Sequence, residues 1–150
     1  MTAAESVQPL PARPGKYFAW GEFAAHDAIE TPYPLNLRST VGVFLGHELD
    51  QLRDLIGPFT PSSVWRPREH HRAIYAAMHP PRVAPMNSQH LFGAAADVSC
   101  PAKMEWATFV RHVRAVAEAE DSKIRYLKFY APTFCHLDIR ERKTLLVEYA

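Results

Sequence analysis

The stretch S-Q-H-L-F-G-A-A-A-D-V-S-C, Ser88–Cys100, places a histidine and a carboxylate, His90 and Asp97, seven residues apart around a glycine. The small apolar residues between them predict a closely packed strand. Further along the chain, an H-x-D pattern formed by His136 and Asp138 offers a third ligand. Two imidazoles and one carboxylate suit Zn²⁺, which in hydrolases typically keeps a fourth position open for water. The sequence therefore predicts a metal site made by His90, Asp97 and His136.

Each of the three predicted ligands also has an ordinary structural interpretation. His90 would cap a turn, Asp97 would be a buried, hydrogen-bonded carboxylate, and His136 would be a core histidine. Taken singly, each ordinary interpretation is favoured; taken with the full motif, the metal interpretation is favoured, and a bend at Gly93 would bring the first two side chains to one metal. His136 would reach the same point from a neighbouring strand.

The same residues resemble a known enzyme family. Ser88, His90, Gly93, Ala95 and Asp97 match the pattern S-x-H-x-x-G-x-A-x-D. This pattern is typical of the zinc D-alanyl-D-alanine carboxypeptidase and L-alanyl-D-glutamate endopeptidase family, which includes many phage endolysins. Three other segments are similar to parts of the family: its closing F-V-H-x-D strand at Phe134–Arg140, its substrate-gripping arginine segment at Ser63–Arg66, and the opening of its phage and prophage members at Tyr17–Ala24. The resemblance covers residues 17–140.

The order of the predicted elements and the resemblance both indicate an α+β fold. Apolar spacing predicts helices over residues 22–27, 37–56, 67–78 and 104–119, and strands over residues 59–65, 91–99, 124–130, 134–139 and 145–149. The resemblance implies a hedgehog/DD-peptidase-like domain, in which a small antiparallel sheet carries the zinc site and packs against helices.

The chain is predicted to hold a single domain after a short arm. Residues 1–16 contain three prolines and no periodic pattern, which predicts a flexible arm. Residues 17–150 are then one zinc peptidase-like domain, long enough for a single hydrophobic core.

The two cysteines, Cys100 and Cys135, are predicted to be core residues. Side chains alternate between the two faces of a strand, so both thiols should point away from Asp97 and His136. A disulfide between them stays open, because their strands would be neighbours.

The resemblance assigns roles to residues around the metal. Arg66 would clamp a carboxylate-terminated or D-amino-acid peptide through paired hydrogen bonds, although a solvated arginine at a helix start is the alternative. Ser88 would orient the substrate or support the ligand loop. Asp138 shares a strand face with His136 and is predicted to accept a hydrogen bond from a ligand imidazole.

The chain departs from the family pattern at the position of the general base, the group that accepts a proton from the attacking water. Many members carry Glu, Asp or His about three residues before the last zinc histidine, where this chain has Thr133. Asp138 is the leading substitute, followed by His71, which stands where the family commonly has asparagine, and by His79. A proline-rich loop at residues 76–85 also replaces a typical glycine-rich turn.

The resemblance implies a zinc metallopeptidase that cleaves peptidoglycan stem or cross-bridge peptides, in lysis or entry by a phage or prophage. The alternative is a catalytically weak or inactive zinc-fold module with a binding or structural role, such as a virion or tail component with virion or tail proteins as partners, and Thr133 favours this alternative.

Composition limits the other partners. The 17 basic and 16 acidic side chains nearly balance, which argues against a nucleic-acid partner held by phosphate neutralisation. No apolar run approaches the ~20 residues of a membrane span. No secretory signal is visible, so we expect the protein to be made in the cytoplasm and to act on the wall after release or as part of a virion.

Overall fold

A four-stranded sheet carries the predicted ligands. The computed structural model describes residues 9–150. The strands are β1 (Ala95–Ser99), β2 (Tyr126–Tyr130), β3 (Phe134–Asp138) and β4 (Leu146–Tyr149), arranged in the order β1-β3-β2-β4. Both β1 and β2 pair antiparallel with β3, whereas β4 pairs parallel with β2. The α+β class is confirmed, but the sheet is mixed rather than wholly antiparallel, because the chain reverses after β3 and adds β4 at the far edge of β2.

The long helices are confirmed with shifted ends. They are α1 (Val43–Ile56), α2 (Arg68–Ala76) and α3 (Trp106–Glu118). Short 3₁₀ turns lie at Trp20–Phe23, Leu35–Leu37 and Gln89–Phe92, and a π-type turn at Arg38–Gly42 precedes α1. In the described part of the chain, no helix combines the length and apolar character that crossing a membrane requires.

Two predicted strands were wrong in whole or in part. Residues 59–65 form no strand, and Ser63 makes only a single bridge to Asp97. Pro61 lies in this segment and has no backbone N–H to donate to a ladder. The strand predicted from residue 91 begins only at Ala95, because the preceding turn closes at Gly93 in the left-handed conformation, with φ 67°.

Helices α1 and α3 pack on one face of the sheet. Their buried residues meet the inward-pointing side chains of three strands in one core, which includes Leu45, Leu49, Phe109, Val113, Val98, Leu127, Phe129 and Leu137. Cys135 lies in this core, Cys100 packs partly buried against it, and both thiols are free. The cysteines therefore point away from the ligand face, as strand alternation predicted.

The predicted arm lies partly outside the described residues, since the structure begins at residue 9. In residues 9–16, Pro14 is buried and the Pro11 carbonyl accepts a hydrogen bond from the Trp20 indole at 2.8 Å. A Cβ at Gly46 would lie 2.0 Å from the Pro14 carbonyl oxygen, so this part of the arm packs directly on α1.

Replacing Gly93 by alanine should destabilise the domain. The Tyr33 hydroxyl donates to the Gly93 carbonyl, and an added Cβ would lie 2.7 Å from that hydroxyl oxygen. Left-handed strain of about 1–2 kcal/mol and overpacking of about 1–3 kcal/mol should both lower the free energy of unfolding. Urea unfolding of Gly93→Ala measures the loss. Gly21→Ala is the control, because no atom of residues 9–150 lies within 4 Å of its Cβ position; equal midpoints for the two variants would contradict the prediction.

Candidate metal centre

Three side chains converge from two strands and a turn. Asp97 of β1 lies directly opposite His136 of β3, and the 3₁₀ turn before β1 brings in His90. Oδ1 of Asp97 is 3.3 Å from His90 Nε2 and 3.2 Å from His136 Nδ1. All three ligand atoms lie within 4.8 Å of one another. This group could hold a metal ion, and it is the group predicted from the sequence.

The outer hydrogen bonds of the two imidazoles determine which ring nitrogens face the centre. His90 Nδ1 lies 2.7 Å from the Val64 carbonyl oxygen, and His136 Nε2 lies 2.8 Å from Asp138 Oδ2. Both of these oxygens accept, and both lie closer than Asp97 Oδ1 does to the inner nitrogens, so we assign the proton of each neutral ring to its outer nitrogen. The inner nitrogens then present lone pairs beside Asp97. Three acceptor atoms that face one another are stabilised by a cation between them.

The surroundings shift the pKa of each of the three side chains. Burial lowers the pKa of His90 and outweighs the opposite effect of its contact with Asp97. Burial raises the pKa of Asp97, but its contacts with His136 and His90 outweigh burial and hold the pKa below its usual value. For His136, burial lowers the pKa, whereas the bonds to Asp138 and Asp97 raise it to a net increase. Asp97 is therefore an anion at neutral pH, the form in which a carboxylate binds metal.

Asp138 and Arg140 support the His136 ligand from behind. Asp138 is fully buried and accepts two side-chain bonds from Arg140, from Nε to Oδ1 at 2.8 Å and from Nη2 to Oδ2 at 2.7 Å. The imidazole of His136 lies between Asp138 and Asp97. Asp138 thus accepts a hydrogen bond from the imidazole of His136, a candidate ligand, as the sequence predicted. Sequence reasoning missed Arg140, although it stands two residues after Asp138.

Arg66 belongs to the site, so the alternative of a solvated arginine is wrong. Only 12% of its side chain is exposed. Its Nε donates to Ser63 Oγ at 2.9 Å, its Nη2 donates to Asp97 Oδ2 at 3.2 Å, and its Nη1 lies 3.5 Å from His71 Nδ1. Arg66 therefore orients Asp97, while one N–H on each terminal nitrogen makes no hydrogen bond to any of the described residues.

His71 lies behind the metal centre. It is fully buried, and its Nε2 donates to the Pro85 carbonyl oxygen at 2.9 Å. Burial is the main cause that lowers the pKa of His71, so the neutral ring can accept from Arg66 through Nδ1. His71 thus connects the proline-rich loop to Arg66.

None of the predicted proton acceptors faces the space over the ligands. A pocket of about 450 Å³ opens above His90, Asp97 and His136, and neither Asp138 nor His71 lines it. His79 is exposed and also lies outside the pocket lining. Thr133 is in the turn between β2 and β3, where its hydroxyl donates to the Tyr130 carbonyl. The positions of Asp138 and His71 fit supporting roles and give no support to a role as base.

The pocket contains residues that sequence reasoning missed. Ser88 and Arg66 line it as predicted, and they are joined by Arg82, Tyr126, Lys128, Tyr130, Arg140 and Glu148. Lys128 pairs in register with both His136 and Glu148. Strand alternation could have placed residues 126, 128 and 130 on one face, but only the sheet order shows that this is the ligand face.

Comparisons of this chain with family models, curated proteins and solved structures gave no match. A functional assignment therefore depends on the chain's own residues and their arrangement.

Replacing Asp138 by asparagine should weaken metal binding about 10- to 100-fold, the usual effect of removing a support of a ligand imidazole. The amide loses the charge that holds both His136 and Arg140. Titration with Co²⁺, followed by its visible absorption, measures the affinity. The matched control is Asp121→Asn at an exposed position. Equal affinity in the two variants would show that Asp138 does not support the ligand.

Proposed function

We propose that this protein is a zinc-dependent peptidase that cleaves stem or cross-bridge peptides of peptidoglycan. The observation that carries the proposal is the convergence of three acceptor atoms, from His90, Asp97 and His136, at the base of an open pocket. Two imidazole nitrogens and one carboxylate oxygen are the donor set that catalytic zinc takes when a fourth position is left to water or substrate.

The surroundings of the ligands support zinc as the metal. Each imidazole donates its outer N–H to an oxygen, His90 to the Val64 carbonyl and His136 to Asp138. Such outer bonds orient histidine ligands and increase their basicity. The side chains of Asp97 and His136 are 12% and 15% exposed, so a substrate group can approach the centre from the pocket.

The roles of the other residues follow from their contacts. A zinc ion held here would polarise a peptide carbonyl and lower the pKa of the attacking water. Arg66 orients Asp97 and keeps one N–H on each terminal nitrogen for a substrate carboxylate or carbonyl. Ser88 lines the pocket beside His90, where its hydroxyl would orient the peptide. The resemblance of Ser88–Asp97 and Phe134–Arg140 to the zinc carboxypeptidase and endopeptidase family supports peptidoglycan as the substrate and phage lysis or entry as the setting.

Glu148 is the proposed proton acceptor. Among the described residues that line the pocket, Asp97 and Glu148 carry carboxylates, and Asp97 is committed as a ligand. The Tyr126 hydroxyl donates to Glu148 Oε2 at 2.8 Å, and the Tyr126 ring packs edge-on against His136 with ring centroids 5.6 Å apart. These contacts connect Glu148 to the ligand face.

The second candidate function is a catalytically weak or inactive zinc-fold module of a virion or tail. It is favoured by the position of Thr133, whose hydroxyl is bound in a turn, and by the burial of Asp138 and His71. This function needs the metal for stability and needs no proton acceptor.

Purified protein should carry about one zinc per chain and release peptides from purified peptidoglycan, and a chelator should stop the release. His136→Ala should lose both the zinc and the activity, whereas His47→Ala, at an exposed position on α1, should keep both. Metal analysis and mass spectrometry of the products measure the two results. Full zinc occupancy in His136→Ala would disprove the ligand assignment, and a zinc-loaded protein that is inactive on every wall type would favour the second function.

Replacing Glu148 by glutamine should lower the hydrolysis rate about 10²- to 10⁴-fold at unchanged zinc content, because the amide cannot accept the proton. Glu141→Gln is the matched control, at an exposed position outside the pocket. Rates are compared at confirmed full zinc loading. Wild-type turnover by Glu148→Gln would show that this carboxylate is not the acceptor.

A further inference from the structure

We propose that Lys128 binds a carboxylate of the substrate peptide, at a position beside the metal ligands and separate from Arg66. The inference rests on the proposed function and defines the substrate further: a peptide with an anionic group on the β2 side of the metal centre.

The sheet register places Lys128 next to the ligands. Lys128 lies opposite His136, which lies opposite Asp97, while Glu148 lies on the other side of Lys128. These four residues form one row across the sheet on the pocket face. Directly opposed residues have Cβ atoms about 5 Å apart, so the aliphatic stem of Lys128 begins beside a ligand imidazole.

Lys128 differs from the two nearby arginines, Arg66 and Arg140, because among the described residues each arginine is paired with a carboxylate and Lys128 is not. Arg66 forms an ion pair with Asp97, and Arg140 forms one with Asp138. Within residues 9–150, Lys128 forms no ion pair, even though Glu148 is its neighbour on β4. Glu148 accepts from the Tyr126 hydroxyl instead. The ammonium group of Lys128 is therefore available to an anion in the pocket.

The aromatic side chains around Lys128 hold the ammonium group in place. Its Nζ lies 5.3 Å from the centroid of the Tyr130 ring, and the Tyr130 ring stacks on Phe134 at 4.5 Å. A cation over an aromatic face is partly ordered before a ligand binds. The stacked rings also give an apolar wall, against which the carbon chain of an acidic residue can pack.

Arg66 and Lys128 lie on opposite sides of the ligand pair. Arg66 contacts Asp97 on β1, whereas Lys128 extends from β2 beyond His136. With one cation on each side, we expect the site to prefer a peptide with two carboxylates, such as a stem peptide that has a free carboxylate on its D-glutamyl residue and another at its C-terminus.

The test is the binding of four synthetic peptides to the zinc-loaded full chain by calorimetry. All four are L-Ala-γ-D-Glu-L-Lys, in which the α-carboxylate of D-Glu and the C-terminal carboxylate are each free or amidated. Lys128→Met and Lys128→Gln remove the charge, with zinc content as the check on folding. Lys123→Met is the matched control, because that ammonium also lies over an aromatic ring, 4.6 Å from the centroid of Phe44, and lies outside the pocket lining.

The wild type and Lys123→Met should prefer a free carboxylate over the amide at one of the two positions by about fivefold, as expected for a partly exposed ion pair. Both Lys128 variants should lose that preference. Equal binding of acid and amide by the wild type, or a full preference retained in the Lys128 variants, would overturn the proposal and leave the zinc peptidase assignment intact. Failure of the zinc-loaded wild type to bind any of the four peptides would overturn the Lys128 proposal alone, because the peptidase assignment is tested separately by the release of peptides from peptidoglycan.

Discussion

The antiparallel pairing of β1 with β3 is the constraint on which the site depends. It sets Asp97 opposite His136, so that one carboxylate oxygen lies 3.2 Å from the inner imidazole nitrogen. Because side chains alternate along a strand, a slip of one residue would turn Asp97 into the apolar core and bring Val98 to the pocket. The burial of Val98, Leu137 and Cys135 under the helices therefore sets the register that assembles the ligands.

The site contains two buried carboxylates, Asp97 and Asp138, and each forms an ion pair with an arginine. Asp138 is fully buried, and the cost of removing its carboxylate from water is offset by Arg140 and His136. Asp97 is supported in the same way by Arg66. Buried ion pairs of this kind contribute little net stability. They do orient the groups they contain, and here they leave two imidazole lone pairs and one carboxylate oxygen facing one point.

The two faces of the sheet carry different groups of residues. One face packs on α1 and α3, and the other carries the ligands, the pocket and the row that ends at Glu148. Side chains on the pocket face can change without altering the core.

Local sequence patterns determined the ligand set. Two features are local: the seven-residue spacing of His90 and Asp97 around Gly93, and the H-x-D pattern at His136. Strand alternation alone predicted that Asp138 lies beside His136 and that both cysteines point toward the core. The zinc identity and the peptidase activity stay predictions. Only the tertiary structure showed that Arg140 holds Asp138, that β4 runs parallel to β2, and that His71 is buried behind the site. It alone also placed Lys128 and Glu148 at the pocket. These features depend on the order and register of strands far apart in the chain, which alternation within a single strand cannot specify.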